Sequence, residues 1–280
     1  MNTQRYANGP GLRLLEHLYS ESRFVFSSQD ARRAAVQLKL PATIVPRALG
    51  DMVQSGWIQR LRRDRYIGTP EFPGFAQVPP LAIATALVAP SAISLWSALS
   101  FHGLTDQLPH AVWATTTKKV VTPSMRRFET GSNQRKHFWM IGGVEYRYTT
   151  VRPRFFFGWE FFWLDVRFRI PIFTKERTLL DLFAVPRVFG GVGLGLEILQ
   201  RSVAEIQTSL LIDCALQYGV IAVSKRLGWA LQVAGVSDRQ TRRLREISAE
   251  GFSLLDPTSP PRGPFDKKWS LRLNLPARRP

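Results

Sequence analysis

Arginine side chains crowd into one short segment in the first quarter of the chain. Arg62, Arg63 and Arg65 flank a single acidic residue, Asp64. A guanidinium group stays charged at neutral pH and donates hydrogen bonds in a fork that fits phosphate oxygens. The neighbouring sequence offers little to neutralise these charges. The segment therefore predicts phosphate contacts made from the tip of a short turn.

A line of polar residues precedes this turn at helical spacing. These residues share one face of a predicted helix and are Thr43, Arg47, Gly50 and Gln54. The opposite, apolar face of the same helix carries Ile44, Ala48, Leu49, Met52 and Val53. Side chains at the start of a helix that enters a DNA groove contact base edges. Thr43 and Arg47 are therefore the predicted base-reading residues.

Two helices and a strand hairpin are predicted to position these side chains. Ser27 is the expected N-cap of the first helix. Pro46 must lie in the first turn of the second helix, because proline has no N–H to donate further along. Gly56 ends that helix, and strands are expected on both sides of the arginine turn. Residues 27–68 therefore predict a winged helix-turn-helix that binds double-stranded DNA; the alternative is a helical hairpin that only packs.

A second group of arginines lies near the end of the chain. Arg239, Arg242 and Arg243 share one face of a helix predicted over residues 238–249. This face is either a second DNA contact or a solvated helix surface, and the sequence leaves both interpretations open.

Enzymatic chemistry has one weak candidate set of residues. Asp165, Glu176 and Asp181 would be the carboxylates of a metal-dependent nuclease. The favoured alternative is that Glu176 pairs with Arg177 on a helix surface while Asp181 makes local hydrogen bonds. The glycines at 191–195 lack the third glycine and the preceding strand of a dinucleotide loop. No catalytic residue, metal site or cofactor is predicted.

The composition is that of a strongly basic globular chain. Its 280 residues are 45% hydrophobic, which is enough for two cores. The net charge of +17 favours a polyanionic partner. Cys214 is the only cysteine, which excludes an internal disulfide and fits a reducing cytoplasm. Prolines and serines interrupt the apolar stretch at 81–99, so no membrane span is expected.

A proline-rich segment divides the chain into two expected domains. Residues 69–80 are the predicted linker between a DNA-binding domain at 1–68 and a second domain at 81–280. In the second domain, strands are predicted at 111–117, 137–141, 144–151 and 166–170. Helices are predicted to run to about His102, from Thr174, and over 194–203, 207–218, 224–234 and 238–249. The predicted fold class is α+β.

Seven aromatic side chains crowd into residues 155–163. If exposed, they would stack on unpaired bases or lie at a membrane interface. The alternating pattern that continues from Val166 favours two core strands around Gly158.

Four segments behind the predicted winged helix form a recognisable combination. They are residues 93–109 (ISLWSALSFHGLTDQLP), 174–186 (TKERTLLDLFAVP) with Gly190 and Gly191 after it, 225–236 (KRLGWALQVAGV), and 255–275 with Asp256, Pro257, Trp269 and Asn274. In this order they resemble the AbiEi family, which comprises antitoxins and transcriptional autoregulators of type IV toxin–antitoxin systems. The resemblance covers nearly the whole chain.

The resemblance implies an N-terminal DNA-binding domain, a C-terminal antitoxin domain and a promoter target with repeated half-sites. It also implies a neighbouring nucleotidyltransferase-like toxin that is neutralised without a stable complex. The expected function is thus a DNA-binding transcriptional autorepressor and antitoxin. A metal-dependent nuclease with a helix-turn-helix targeting module is the alternative.

Overall fold

The computed structural model describes residues 9–72, 77–121, 138–247 and 251–275 and shows a mixed α+β protein. The predicted α+β class is confirmed. Three hydrophobic clusters hold the elements together: one among the N-terminal helices, one on the largest sheet and one among the C-terminal helices.

Three helices and a small sheet form the N-terminal part. These elements are α1 (Pro10–Ser20), β1 (Val25–Phe26), α2 (Ser28–Gln37), α3 (Val45–Gln54), β2 (Ile58–Arg62) and β3 (Arg65–Gly68). The antiparallel strands lie in the order β1-β3-β2. The sequence prediction misses α1, although its buried residues Leu14, Leu15 and Leu18 have helical spacing. They pack against α2 and α3 and close the first cluster.

Local sequence signals explain where α2 and α3 begin. The Ser27 hydroxyl accepts a hydrogen bond from the Asp30 amide at 3.1 Å, and Asp30 accepts one from the Ser27 amide at 2.8 Å. The predicted N-cap is confirmed. Pro46 lies in the first turn of α3, also as predicted. Val53, expected on the apolar face, is instead exposed, because the buried face of α3 is narrower than the pattern suggested.

A six-stranded sheet and its helices make up most of the remaining chain. Its elements are α4 (Pro80–Leu87), β4 (Ser91–Ile93), α5 (Leu95–Phe101), β5 (Ala111–Thr116), β6 (Phe138–Ile141), β7 (Val144–Thr150), β8 (Trp159–Trp163) and β9 (Arg169–Phe173). The strands lie in the order β6-β7-β5-β4-β9-β8 and mix parallel and antiparallel pairs. The strand expected at 166–170 begins only at Arg169, and Val166 is 92% exposed in the preceding turn.

Helices and a small three-stranded sheet complete the fold. These elements are α6 (Lys175–Ala184), α7 (Val192–Ser202), α8 (Thr208–Tyr218), α9 (Ile221–Val233), α10 (Asp238–Arg245), β10 (Ser253–Leu254), β11 (Phe265–Asp266) and β12 (Leu271–Arg272). The Thr174 hydroxyl accepts from the Arg177 amide at 3.3 Å, which confirms the predicted cap of α6. The helices predicted at 194–203, 207–218 and 224–234 are confirmed with small shifts of their ends. The last helix, predicted to run to 249, is shorter: it ends at Arg245, with Glu246 as its C-cap.

The four segments that carry the family resemblance meet in one hydrophobic cluster. Leu99, Leu179, Leu227 and Trp269 each come from a different segment, and all are buried there. The contact between α9 and the C-terminal segment is close, since a Cβ at Gly228 would lie 2.1 Å from the Trp269 ring. The segment at 255–275 therefore contributes to the core.

The N-terminal elements share a hydrophobic cluster with the six-stranded sheet. Phe24, Leu61 and Ile67 pack in the same cluster as the sheet residues. The rings of Phe24 and Phe168 lie 4.6 Å apart, centre to centre. At the start of the predicted linker, Phe72 is buried beside Tyr19, with 5.3 Å between the ring centres. The N-terminal part is thus docked on the sheet by apolar contacts.

No helix in the described ranges is long and apolar enough to cross a membrane. The apolar stretch at 81–99 is divided among α4, β4 and α5.

Candidate nucleic-acid interface

The polar face predicted for the second helix lies on the surface of α3. Thr43, Arg47, Gly50 and Gln54 are all exposed. The Arg47 side chain is 89% exposed, and its Nε lies 3.9 Å from the Asp51 carboxylate. This exposed pair is worth little to stability, so the Arg47 guanidinium is available to another anion.

The start of α3 has no side-chain cap. A short 3-10 turn, Ala42–Ile44, leads into the helix, and no side chain of the described residues accepts a hydrogen bond from its first amides. The Ile44 amide donates to the Pro41 carbonyl at 3.1 Å, the Val45 amide donates to the Ala42 carbonyl, and Pro46 has no N–H. The positive end of the helix dipole is therefore what favours an anion at this position. Thr43 and Arg47 lie at this end of the helix.

The turn between β2 and β3 is anchored to α2. Asp64 adopts a left-handed backbone conformation with φ of 58°. Its carboxylate accepts a hydrogen bond from the Ser28 amide at 2.8 Å. Hydrogen bonds from Ser28 lower the pKa of Asp64 below its ordinary value. The contact fixes the hairpin against the start of α2, with Arg63 exposed at its tip.

The other two arginines of this turn are less free than the sequence suggested. Arg65 donates to the Asp64 carbonyl at 2.8 Å and is partly buried. Arg62 is also partly buried, and its Nε lies in the interior without a hydrogen-bond partner in the described part of the chain. Burial lowers the pKa of Arg62, and the Arg65 charge lowers it further. Of the three, Arg63 is the residue best presented to a phosphate.

The arginines of α10 have more acidic neighbours than the sequence indicates. Arg242 pairs with Glu246 at 3.3 Å, and Arg243 pairs with Asp213 of α8 at 2.6 Å. Arg239 is exposed and makes no ion pair within the described ranges. A second DNA contact at this helix stays a prediction, and Arg239 is its freest guanidinium.

The expected surface pairing of Glu176 with Arg177 is wrong. Arg177 instead forms a buried ion pair with Asp181 one turn further along α6. Its guanidinium lies 4.6 Å from the Phe173 ring centre and 5.3 Å from that of Tyr218. Burial raises the pKa of Asp181, and the neighbouring Arg177 charge opposes this. The burial of the pair was missed because Tyr218, one of the enclosing rings, lies on α8 about forty residues further along the chain.

The carboxylates considered for a metal-dependent nuclease do not assemble. Within the described residues, no group of three or more histidine, cysteine, aspartate or glutamate side chains is placed to hold a metal ion. Asp181 faces Arg177, while Asp165 lies in the turn before β9 and accepts from the Arg167 amide at 2.7 Å. The set Asp165, Glu176 and Asp181 is therefore not a metal centre.

The glycine stretch at 191–195 forms the start of a helix. A carboxylate of the same chain occupies the position at which a phosphate would bind. A 3-10 turn, Pro186–Phe189, precedes this helix in place of a strand. The Asp256 carboxylate accepts from the Val192 amide at 3.3 Å. A Cβ at Gly191 would lie 2.6 Å from that carboxylate, which accounts for the glycine. The geometry gives no room for a dinucleotide phosphate.

The aromatic run departs from the expected pair of core strands. Only part of it, including Phe162, packs against the core. Trp159, Phe161 and Trp163 point outward from β8 and are 36%, 51% and 61% exposed. The core interpretation is wrong for these three residues, which lie on the face of β8 opposite to Phe162.

Comparison with known proteins gives a fold and no family. No family model matches the chain, and no curated protein does. The chain is similar in structure to the RV2827C protein from Mycobacterium tuberculosis, with a TM-score of 0.58 and 15% sequence identity. The similarity covers 94% of this chain and 90% of the mycobacterial chain. At this identity the likeness shows a shared fold alone.

Proposed function

We propose that this protein is a sequence-specific DNA-binding protein that represses its own operon. Residues 27–68 act as a winged helix-turn-helix, with α3 in the major groove and the β2–β3 hairpin as the wing. The observation that carries the proposal is the exposed polar face of α3 beside a hairpin that presents Arg63.

Electrostatics supports a polyanionic partner for this surface. Arg47 has one carboxylate within 4.0 Å among the described residues, at the far limit of an ion pair, and Arg63 has none. The positive end of the α3 dipole lies beside Thr43 and Arg47 and favours a phosphate there. The net charge of +17 draws the chain towards nucleic acid over long distances.

The resemblance to the AbiEi family extends the proposal to the rest of the chain. The second part acts as the antitoxin of a type IV system and counters a nucleotidyltransferase-like toxin without a stable complex. The support is the joint packing of the four resembling segments in one cluster, which makes them parts of one folded unit. The free thiol of Cys214 is compatible with a reducing cytoplasm.

Substitutions of Arg47 and Arg63 are expected to change DNA binding in different ways. Arg47→Ala should weaken binding to the preferred duplex by about 1 to 3 kcal/mol and reduce base preference, because it removes a base contact. Arg63→Ala should weaken binding to all duplexes alike and reduce the salt dependence by about one phosphate contact. Both effects are measured by fluorescence anisotropy at several salt concentrations. The probes are duplexes selected from a random library and scrambled duplexes.

Arg201→Ala provides the matched control for the loss of one positive charge. Arg201 is an exposed arginine on α7 that pairs with Glu197 at 3.6 Å, and it lies outside the proposed interface. Its variant should bind like the wild type. Equal loss on selected and scrambled duplexes for Arg47→Ala would contradict base reading by α3.

Repression and toxin neutralisation are expected to be separable. A chain carrying both Arg47→Ala and Arg63→Ala should lose repression of its promoter, because both kinds of DNA contact are removed. The same variant should still protect cells when the toxin is expressed from an unrelated promoter. The proposal requires the adjacent reading frame to encode this nucleotidyltransferase-like toxin. Colony counts after toxin induction measure protection, and a promoter fusion measures repression.

Loss of protection by the double variant would assign neutralisation to DNA binding. Stoichiometric purification of toxin with antitoxin would replace the proposed mode with direct inhibition.

A further inference from the structure

The outer strand of the six-stranded sheet carries an unusual exposed surface. Strand β8 pairs with β9 on one side and is the last strand of the described sheet. Trp159, Phe161 and Trp163 alternate along it and project from the same face. We call these three residues the aromatic edge. Contiguous exposed aromatic area of this kind marks a binding surface more often than a structural one.

Arginine side chains lie among the rings of the aromatic edge. The Arg169 guanidinium lies 5.2 Å from the Phe161 ring centre and 5.9 Å from the Trp163 ring centre. Arg169 makes no ion pair in the part of the chain that the structure describes, and it is exposed. Arg167, nearby, has a single carboxylate in reach, Asp165 at 3.6 Å. The surface thus combines flat apolar faces with a positive charge that has no counterion.

A groove of about 390 Å³ runs along this surface. Trp159, Phe161, Arg167 and Arg169 line this groove together with Phe24 and residues of α4. The volume falls in the range of roughly 300 to 1,000 Å³ that small-molecule sites occupy, so a planar group of the size of a nucleobase can enter.

We propose that the aromatic edge binds single-stranded DNA, with bases stacked on Phe161 and Trp163 and phosphates held by Arg169 and Arg167. Stacking requires an open ring face on the base, and a duplex buries those faces between neighbouring base pairs. An acidic peptide would satisfy the arginines and leave the flat rings without partners of matching shape. The choice of DNA over RNA rests on the proposed function, whereas the stacking surface is an independent observation.

The test uses the full chain and oligothymidine of about 12 nucleotides, a length typical of such sites. The wild type should bind this probe at low salt. Phe161→Ala and Trp163→Ala should each weaken binding by roughly 10-fold to 100-fold, because each removes a stacking face. Arg169→Ala should reduce the salt dependence by about one phosphate contact. Phe161→Tyr and Trp163→Phe, which keep a ring, should retain most of the affinity.

The controls separate this site from the proposed duplex site and from misfolding. Phe265→Ala removes an exposed aromatic side chain of the small sheet and should bind oligothymidine like the wild type. The aromatic variants should keep the wild-type melting temperature and duplex affinity. The Arg47→Ala, Arg63→Ala double variant should still bind oligothymidine through the aromatic edge. If the wild-type protein bound oligothymidine but no duplex, the proposed function would be contradicted and this site would stand.

Several results would overturn the proposal. They are the absence of wild-type binding to oligothymidine, unchanged binding by both alanine variants, or tighter binding of oligouridine than of oligothymidine. Displacement of the probe by polyglutamate as effectively as by unlabelled oligothymidine would also overturn it, because charge alone would then explain binding.

Discussion

Replacement of Asp181 by alanine is expected to lower the free energy of unfolding by about 3 to 5 kcal/mol. Asp181 and Arg177 are both buried on α6, and the guanidinium is enclosed by the rings of Phe173 and Tyr218. Without the carboxylate, a positive charge would remain in the interior with no counter-charge and little access to water. Urea unfolding followed by circular dichroism measures the loss.

Two further variants test the reason for this loss. Asp213→Ala removes the exposed partner of Arg243 and should cost less than about 1 kcal/mol. Replacing the buried pair together, with Arg177→Met and Asp181→Leu, should recover most of the stability, because no uncompensated charge remains. A loss below about 1 kcal/mol for Asp181→Ala alone would contradict a charged buried pair.

Replacement of Phe24 by alanine is expected to lower the free energy of unfolding by about 3 to 5 kcal/mol, the usual cost of removing a buried phenylalanine ring. Phe24 is 5% exposed and contacts both Tyr19 and Phe168, with 5.0 Å and 4.6 Å between ring centres. It therefore joins the N-terminal elements to the sheet. Amide hydrogen exchange should increase more across residues 10–68 than in the rest of the chain.

An exposed aromatic residue supplies the control for this substitution. Phe252 is 52% exposed, so Phe252→Ala should change stability by less than about 1 kcal/mol. Phe24→Ala could instead lower stability while hydrogen exchange increases equally throughout the chain. In that case the shared cluster would not specifically anchor the N-terminal elements.

Much of the secondary structure could be predicted because its determinants are local. The Ser27 cap, the position of Pro46 in the first turn of α3 and the hairpin beyond Gly56 each depend on residues a few positions apart. The same holds for the cap at Thr174. Helix propensity, capping and turn geometry act within one or two turns, so a single sequence contains the information.

The candidate site could be predicted only in part. Thr43 and Arg47 lie on the surface as expected, because the amphipathic pattern of one helix fixes which side faces the core. Arg62 and Arg65 are partly buried, although they share the turn with exposed Arg63. The burial of Arg62 could not be predicted from its own segment, because the hairpin packs on a sheet formed by residues far along the chain.

The sequence by itself determined the α+β class, the order of most elements, the polar face of α3 and the basic charge that favours a polyanionic partner. Only the tertiary structure decided that Asp181 pairs with Arg177 in the interior and that β8 is an edge strand with exposed rings. The burial of this pair and the edge position of β8 depend on contacts between segments distant in sequence. A pattern of alternating aromatic residues is the same in a central strand and an edge strand, and only the neighbouring strands distinguish them.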